Sequence, residues 1–135
     1  MRVLTAAQSF DCAGFIKAVL QQDETELRAC FFDDAVINWH CTNERFTVEE
    51  YIRANCEYPG KWGGEIEAVH RIDDRFIVVA RVYPEDCSAS FHCVSFIRCR
   101  DGKITSLDEY WAEDGEAPKW RRDMKLGRPI SERRR

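Results

Sequence analysis

The sequence has no apolar run that approaches the roughly 20 residues of a membrane-spanning helix. Its first residues, MRVLTAAQSFD, include one basic residue and no apolar core segment. We therefore expect no signal peptide, no membrane partner and a cytoplasmic protein. The motifs GxSxG and GxGxxG and the phosphate-binding P-loop are also absent, which argues against serine hydrolysis and against dinucleotide or nucleotide chemistry. We expect no cofactor.

Cysteine pairs of the form CxxC are missing as well, although the chain contains seven cysteines. An odd number without a secretion signal favours reduced thiols. Cys87, Cys93 and Cys99 share one parity and would lie on one face of a strand, as a cluster site or, in the simpler interpretation, as small core residues. No pair of histidines has HxH or i,i+4 spacing, so we expect no metal site.

Charge is distributed unevenly along the chain. Residues 121–135 carry seven basic and two acidic groups, a net charge of +5. Since the whole chain has a net charge of −4, the preceding 120 residues have a net charge of −9. A terminal basic run can bind nucleic acid. Because no basic face supports it elsewhere, we expect a short polar tail and no nucleic-acid partner. The tail could also fold onto the acidic body.

The first part of the chain has helical signals. Thr5–Gln8 fits a capping box, and apolar residues behind it recur at helical spacing, which predicts a helix over about 6–22. Asp23 could cap a second, shorter helix. Alternation over 34–40 predicts a strand with Ile37 and Trp39 on one face.

Thr47 and Glu50 form a stronger capping box, in which each side chain can bond the other residue's backbone N–H. A helix of about 48–57 follows, and Pro59-Gly60 ends it.

The second part of the chain favours strands. Asp101-Gly102 is the best hairpin signal, because an Asp-Gly pair tolerates the positive φ angles of a type I′ turn. Asp73-Asp74 marks another tight turn. The predicted strands of this antiparallel meander are 65–72, 75–83, 87–100 and 103–111.

This order of elements indicates an α+β protein. The strands carry apolar residues on both parities, so both sheet faces should be covered. The helices would cover one face and a second subunit could cover the other.

The segments FFDDAVINWH, FTVEEYI and DGKITSLDEYW, taken together, resemble the nuclear-transport-factor-2-like superfamily, and its SnoaL-like, polyketide-cyclase-like branch in particular. The resemblance covers about residues 6–113. It implies a cone, in which a curved antiparallel sheet wraps around N-terminal helices and leaves a central apolar pocket. Homodimers through the exposed sheet face are common in this superfamily. We expect one such domain over residues 1–120 and a basic tail over 121–135.

The superfamily includes enzymes and binding proteins, so its fold alone does not define a function. Similarity to the epoxide-hydrolase pattern, in which an acid precedes an aromatic pair, puts Glu109 on the pocket face of the last strand. Leu107 stands where that pattern has an arginine, which disfavours epoxide hydrolysis. A carboxylate in an apolar cavity has a raised pKa and suits general base catalysis. The alternative is an edge glutamate that pairs with a neighbouring arginine such as Arg98.

Two histidines are further candidates for acid–base chemistry. His92 could act as a base or as a donor to a carbonyl, or be a half-buried strand residue with a single polar neighbour. His40 ends the first strand and could meet Glu44 at the mouth of the cone. That pair would be either an acid–base unit or a loop staple.

Aromatic side chains from several elements would converge on the pocket and favour a flat or apolar organic ligand. Trp62 lies between glycines and is interpreted as a lid residue. Trp120 with Arg121 could close the mouth or dock on a partner. The expected ligand-binding residues are Trp39, Glu44, Tyr51, Tyr58, Trp62, Phe96, Leu107 and Trp111.

These residues leave two principal hypotheses. The first is a cofactor-independent cyclase, isomerase or dehydratase, in which Glu109 or His92 takes a proton next to a carbonyl group. The second is a module that binds a ligand in the same pocket without proton transfer. An interaction domain that uses the sheet face and the basic tail is a third possibility.

Overall fold

The structure, a computed structural model, describes residues 9–131. Two helices, a strand and a third helix precede a four-strand meander, as the sequence predicts. A short strand before the third helix and a short helix near the end were not predicted. The elements are α1 (Cys12–Gln21), α2 (Glu24–Ala29), β1 (Phe31–Trp39), β2 (Glu44–Phe46), α3 (Val48–Cys56), β3 (Trp62–Ile72), β4 (Arg75–Pro84), β5 (Phe91–Arg100), β6 (Lys103–Glu113) and α4 (Lys119–Asp123).

The six strands form one mixed sheet in the order β2-β1-β6-β5-β4-β3. Strands β3 to β6 are the predicted antiparallel meander. Strand β1 pairs with β6 in parallel, which the sequence analysis did not predict. Register shifts between Ile66 and Ala68 and between Arg98 and Cys99 interrupt the ladders. Such bulges bend strands and so curve the sheet. The predicted α+β architecture, with helices against one face of a curved sheet, is confirmed.

Helix α1 begins later than predicted. Asp11 is its cap, and the Asp11 carboxylate accepts a hydrogen bond from the Gly14 backbone N–H at 2.9 Å. A Cβ atom at Gly14 would lie 2.4 Å from that carboxylate, so a glycine there permits the cap. The predicted capping box at Thr5–Gln8 lies outside the described residues.

The other predicted caps are present. The Asp23 side chain accepts from the Glu26 N–H and begins α2. Both hydrogen bonds of the Thr47–Glu50 capping box form at the start of α3. These short-range signals are reliable because each is satisfied within one helical turn.

Strand β5 starts at Phe91 and not at Cys87 as predicted. Cys87 has a φ of +60° in an exposed turn, so it does not share a face with Cys93 and Cys99. Those two thiols are buried in the core. The turn at Asp101-Gly102 has the positive φ angles that were predicted, 53° and 78°.

The core lies between the helices and the inner face of the sheet. Phe15 of α1, Leu27 of α2 and Tyr51 of α3 are buried against Phe31 of β1 and Leu107 of β6. The outer face lacks such a cover within residues 9–131 and exposes several large apolar side chains, namely Val36, Ile72, Phe96 and Tyr110. The inner face holds both the core and the apolar cavity described below.

The basic tail begins with a helix that was not predicted. Helix α4 spans the expected boundary at residue 120, and its hydrogen bonds and ion pairs are local, such as Arg122 to the Ala117 carbonyl oxygen. Trp120 is exposed and lies beside the Arg121 guanidinium. It is not among the residues that line the cavity.

Candidate functional site

Glu109 is an ionisable side chain in the middle of the sheet. Strand pairing aligns it with Trp39 of β1 on one side and Ser95 of β5 on the other. It is only 4% exposed. The Trp39 indole N–H donates to one carboxylate oxygen at 3.1 Å, and the Ser95 hydroxyl donates to the other at 2.6 Å. Both oxygens of this buried carboxylate therefore have a protein donor.

Burial raises the pKa of Glu109, and the hydrogen bonds from Ser95 and Trp39 oppose that rise without cancelling it. Trp111 and Cys93 also lower the pKa of Glu109. The Trp111 indole N–H is near Glu109 but has no acceptor at hydrogen-bond geometry among the described residues. Desolvation outweighs the donors, and the protonated form of Glu109 is favoured more than in water.

A cavity of about 290 Å³ opens beside this carboxylate, between α1, α3 and the ends of the strands. Aromatic rings from separate elements make up much of its wall. The ring centroids of Trp62 and Phe91 are 5.9 Å apart, and those of Tyr58 and Trp62 are 5.3 Å apart. The lining residues are Val19, Leu20, Gln22, Trp39, Cys41, Thr42, Ala54, Asn55, Tyr58, Trp62, Val82, Phe91 and Trp111.

Trp39 and Trp111 form the wall between the cavity and Glu109. Their rings meet edge to face at 6.4 Å. Both line the cavity, whereas Glu109 does not. Trp39 is held in place by its hydrogen bond to Glu109 and by ring contacts with Phe46 at 4.7 Å and Tyr51 at 6.2 Å. The carboxylate thus lies one side chain behind the cavity surface.

The other residues predicted for the pocket lie in three different places. Tyr51 and Leu107 are fully buried in the core below the cavity. Burial and the charge of Glu109 raise the pKa of Tyr51. Glu44 begins β2 and accepts a hydrogen bond from Thr42 at 2.7 Å, beside the cavity mouth. Phe96 points to the outer face, away from the cavity.

His92 also lies on the outer face. Its Nδ1 is 2.5 Å from Asp114, and its Nε2 is 3.2 Å from Glu67. Asp114 additionally accepts a hydrogen bond from the Ser90 hydroxyl at 2.6 Å. Ser90 bonds the carboxylate and not the imidazole, so this group lacks the nucleophile–base contact of a serine triad. The structure does not bring His92 and Glu109 together.

His40 belongs to a second outer-face group. Its Nε2 is 2.7 Å from Asp108, which also accepts from Asn38 at 2.8 Å. Burial opposes ionisation of Asp108, but these two bonds outweigh it and lower the pKa of Asp108. The His40 ring stacks on Tyr110 at 4.5 Å. The polar partner of His40 is therefore Asp108. The predicted pairing of His40 with Glu44 does not form.

Sequence reasoning missed several residues of the site. Ser95 and Cys93 of β5 surround Glu109, and Gln22 and Asn55 line the cavity from the helix side. Strand parity would have placed Ser95 and Cys93 on the face of the buried Ile97. Nothing local marks Gln22, because its amide is held by carbonyl oxygens of Asn55 and Tyr58, more than 30 positions away.

Residues 9–131 contain no group of three or more His, Cys, Asp or Glu side chains arranged to hold a metal ion. The seven cysteines all fall in this range and are unpaired thiols. None of the helices in the same part of the chain has the length and apolar character needed to cross a lipid bilayer.

Comparison with other proteins identifies the fold. No protein-family model matches the sequence, and no curated protein matches it. A candidate ketosteroid isomerase from Kribbella flavida is similar in structure, with a TM-score of 0.73 and 21% identity over 90% of this chain and 88% of that protein. An NTF2-like protein of unknown function from Burkholderia xenovorans gives a TM-score of 0.71 and 21% identity over 88% of this chain and 91% of its own.

A candidate SnoaL-like polyketide cyclase from Shewanella denitrificans is also similar, with a TM-score of 0.63 and 12% identity over 74% of this chain and 86% of its own. The chain therefore has the nuclear-transport-factor-2-like fold that ketosteroid-isomerase-like and SnoaL-like proteins share. This confirms the fold that the sequence predicted. Identities this low describe the fold and leave the function to the chemistry of the site.

Proposed function

We propose that the protein binds a small, flat, apolar organic molecule in the cavity next to Glu109. The observation that carries this proposal is the cavity wall, in which Trp39, Tyr58, Trp62, Phe91 and Trp111 bring aromatic rings from separate elements around about 290 Å³. Pockets for small organic ligands are typically concave and mostly apolar, with a few polar groups that orient the ligand. This volume suits a molecule of about two fused rings.

Filling the cavity should weaken ligand binding strongly. Ala54 of α3 lines the cavity, so Ala54→Phe places a ring where the ligand would lie. We expect naphthalene to raise the Tm of the wild type and to quench its tryptophan fluorescence. The variant should bind naphthalene at least about tenfold more weakly than the wild type. The matched control is Ala29→Phe on the exposed surface of α2, which should bind like the wild type. Equal binding by wild type and Ala54→Phe would place the ligand elsewhere.

Acid–base catalysis by Glu109 is the second candidate function. It is favoured by a raised pKa, which brings a carboxyl group closer to the range of a general base or acid at neutral pH. In such a cyclase, isomerase or dehydratase, Glu109 would take a proton next to a carbonyl group, with no cofactor. Binding ranks first because Trp39 and Trp111 separate Glu109 from the cavity, so proton transfer requires one of them to move. His92 and His40 enter neither proposal, since both side chains lie on the outer face.

We also propose that the protein is a homodimer through the outer face of the sheet. Phe96 and Tyr110 lie near the centre of this face, are each 44% exposed and contact one another at 5.9 Å. Exposed apolar groups that cluster on one face are typical of interaction sites. A second copy would cover them by placing the same face against itself, as twofold dimers do.

Phe96→Glu should convert such a dimer into a monomer. In a twofold interface the substitution brings two like charges together and buries them, which costs several kcal/mol. Analytical ultracentrifugation at several concentrations measures the change. Met124→Glu, at an exposed apolar position in the tail, is the control and should leave the dimer intact. A wild type that sediments as a monomer at all concentrations would contradict the proposal.

A further inference from the structure

The side chains that line the cavity carry several N–H and O–H donors, and most of these already donate to the protein. The Gln22 amide donates to the carbonyl oxygens of Asn55 and Tyr58, at 2.9 and 2.7 Å. The Trp62 indole N–H donates to the Pro59 carbonyl oxygen at 3.3 Å. Three further lining side chains have protein acceptors, namely Trp39, Thr42 and Asn55.

The indole N–H of Trp111 is the one buried donor among these side chains that has no acceptor within the described residues. Its nitrogen is buried, and no acceptor within residues 9–131 reaches it at hydrogen-bond geometry. A buried donor without an acceptor costs free energy, because the donor has lost its water and gained nothing in return. Such a group in a native structure calls for a partner that is not part of the chain.

The neighbouring acceptor has capacity left. The Glu109 carboxylate receives the hydrogen bonds from Trp39 and Ser95, one on each oxygen. A carboxylate offers about four lone-pair sites, so further donors can be accepted. Trp111 follows Glu109 by two positions on the same face of β6, and both side chains contact Trp39. An unused donor and an unfilled acceptor therefore lie side by side behind the cavity wall.

A hydroxyl group matches this pair, since one oxygen can accept from an N–H and donate its own proton to a carboxylate. We infer that Trp111 determines ligand specificity, and that the cavity selects flat apolar molecules with a hydroxyl group at the inner end. That hydroxyl accepts from the Trp111 indole and donates to Glu109. The inference rests on the proposed ligand binding and adds the polar group of the ligand to it.

Trp111 is the part of the wall that can make room for the hydroxyl. Its one ring contact among the described residues is with Trp39, whereas Trp39 is also held by Phe46 and by its bond to Glu109. The residue opposite Trp111 in β5 is Cys93, which is small. A modest turn of the Trp111 ring exposes its N–H and opens a path to Glu109, while Trp39 stays in place.

Two probes of matched shape test this assignment. 2-Naphthalenemethanol carries a hydroxyl where 2-ethylnaphthalene carries a methyl group, and the alcohol does not ionise near neutral pH. Calorimetry or fluorescence gives the ratio of their dissociation constants for each variant. We expect Trp111→Phe, which keeps a ring but lacks the N–H, to reduce the preference for the alcohol by about tenfold relative to the wild type. The control is Trp62→Phe, also in the cavity wall, which should keep the preference.

A spectroscopic measurement on the wild type makes the test independent of variant folding. The Trp111 indole N–H resonance should move downfield on addition of the alcohol and stay near its free position with 2-ethylnaphthalene. An unchanged ratio in Trp111→Phe, or equal shifts with both probes, would overturn the role of Trp111 and leave cavity binding intact. If neither probe binds the wild type, both the inference and the proposed function fail.

Discussion

Glu109→Gln is expected to be more stable than the wild type at neutral pH and to equal it at low pH. Glutamine has nearly the shape of a protonated glutamate and keeps an oxygen that can accept from Trp39 or Ser95, but it never carries the buried charge. The wild type must either ionise Glu109 in an apolar site or keep it protonated against the solvent pH. We expect the difference to reach about 1.4 kcal/mol for each unit by which burial raises the pKa of Glu109.

The sign of this effect follows from proton binding. The pKa of Glu109 is raised in the folded state from an ordinary value of 4.5. Between 4.5 and the raised value, the folded protein holds a proton that the unfolded chain has released, so wild-type stability falls as pH rises through this window. The variant lacks that loss. Urea unfolding of both proteins at intervals from pH 4 to pH 8 measures the difference.

Glu49→Gln is the matched control, with the opposite sign. Glu49 is exposed, and its hydrogen bond with Arg28 lowers the pKa of the Glu49 carboxyl, so this variant should lose stability relative to the wild type as pH rises. Glu109→Gln should also slow any wild-type deuterium exchange next to the carbonyl of 2-tetralone by about 100-fold, if Glu109 is the base. A stability difference that does not change with pH would contradict the burial argument.

Trp39→Ala should destabilise the protein by about 3–5 kcal/mol, the range measured for loss of a large aromatic side chain from a packed site. The substitution leaves one Glu109 oxygen without its donor and removes the ring that packs on Phe46, Tyr51 and Trp111. It also weakens the link between β1 and β6, where Trp39 and Glu109 are aligned. Chemical unfolding monitored by circular dichroism gives the free energy directly.

Trp120→Ala provides the comparison for this effect. Trp120 is 59% exposed and packs against Arg121 alone among the described rings and cations. Surface substitutions of this kind usually change stability by less than about 0.5 kcal/mol. A loss for Trp39→Ala as small as that for Trp120→Ala would mean that the wall between cavity and carboxylate is loosely packed, and would remove the basis for a fixed Trp39 beside a movable Trp111.

Glu109 keeps an ionisable group in the apolar interior, at a cost in stability. A buried carboxylate is costly to ionise, and a well-packed apolar side chain of similar size would fit such a site without that cost. The predicted gain in stability of Glu109→Gln therefore measures how much an acidic group beside the cavity lowers the free energy of unfolding of the wild type. The same logic applies to the unused Trp111 donor, which a ligand would satisfy.

Local signals in the sequence were enough for most of the elements. The Asp23 cap, the Thr47–Glu50 capping box and the Asp101-Gly102 turn are each satisfied within a few residues, so composition and spacing reveal them. Alternation in β6 likewise put Glu109 and Trp111 on the same face, because side chains in a strand alternate with a period of two.

Alternation did not show which face of β5 points inward. Val94 and Phe96 are as apolar as Cys93 and Ile97 on the opposite parity, and so His92 and Phe96 were expected in the cavity. The helices cover only one face of the sheet, and they cover the face of Cys93 and Ile97. Which parity becomes the core depends on packing between distant segments, not on either segment alone.

The sequence by itself determined the α+β order, the hairpins, the caps of α2 and α3 and one acidic residue on the face of Trp111. Only the tertiary structure decided what surrounds that residue. The parallel pairing of β1 with β6 joins segments about 70 positions apart and sets Trp39 against Glu109, while β5 supplies Ser95 from the other side. Such pairings cost loop-closure entropy and are stabilised by burial across the whole sheet. No local pattern encodes them, because both terms depend on segments that are far apart in the sequence.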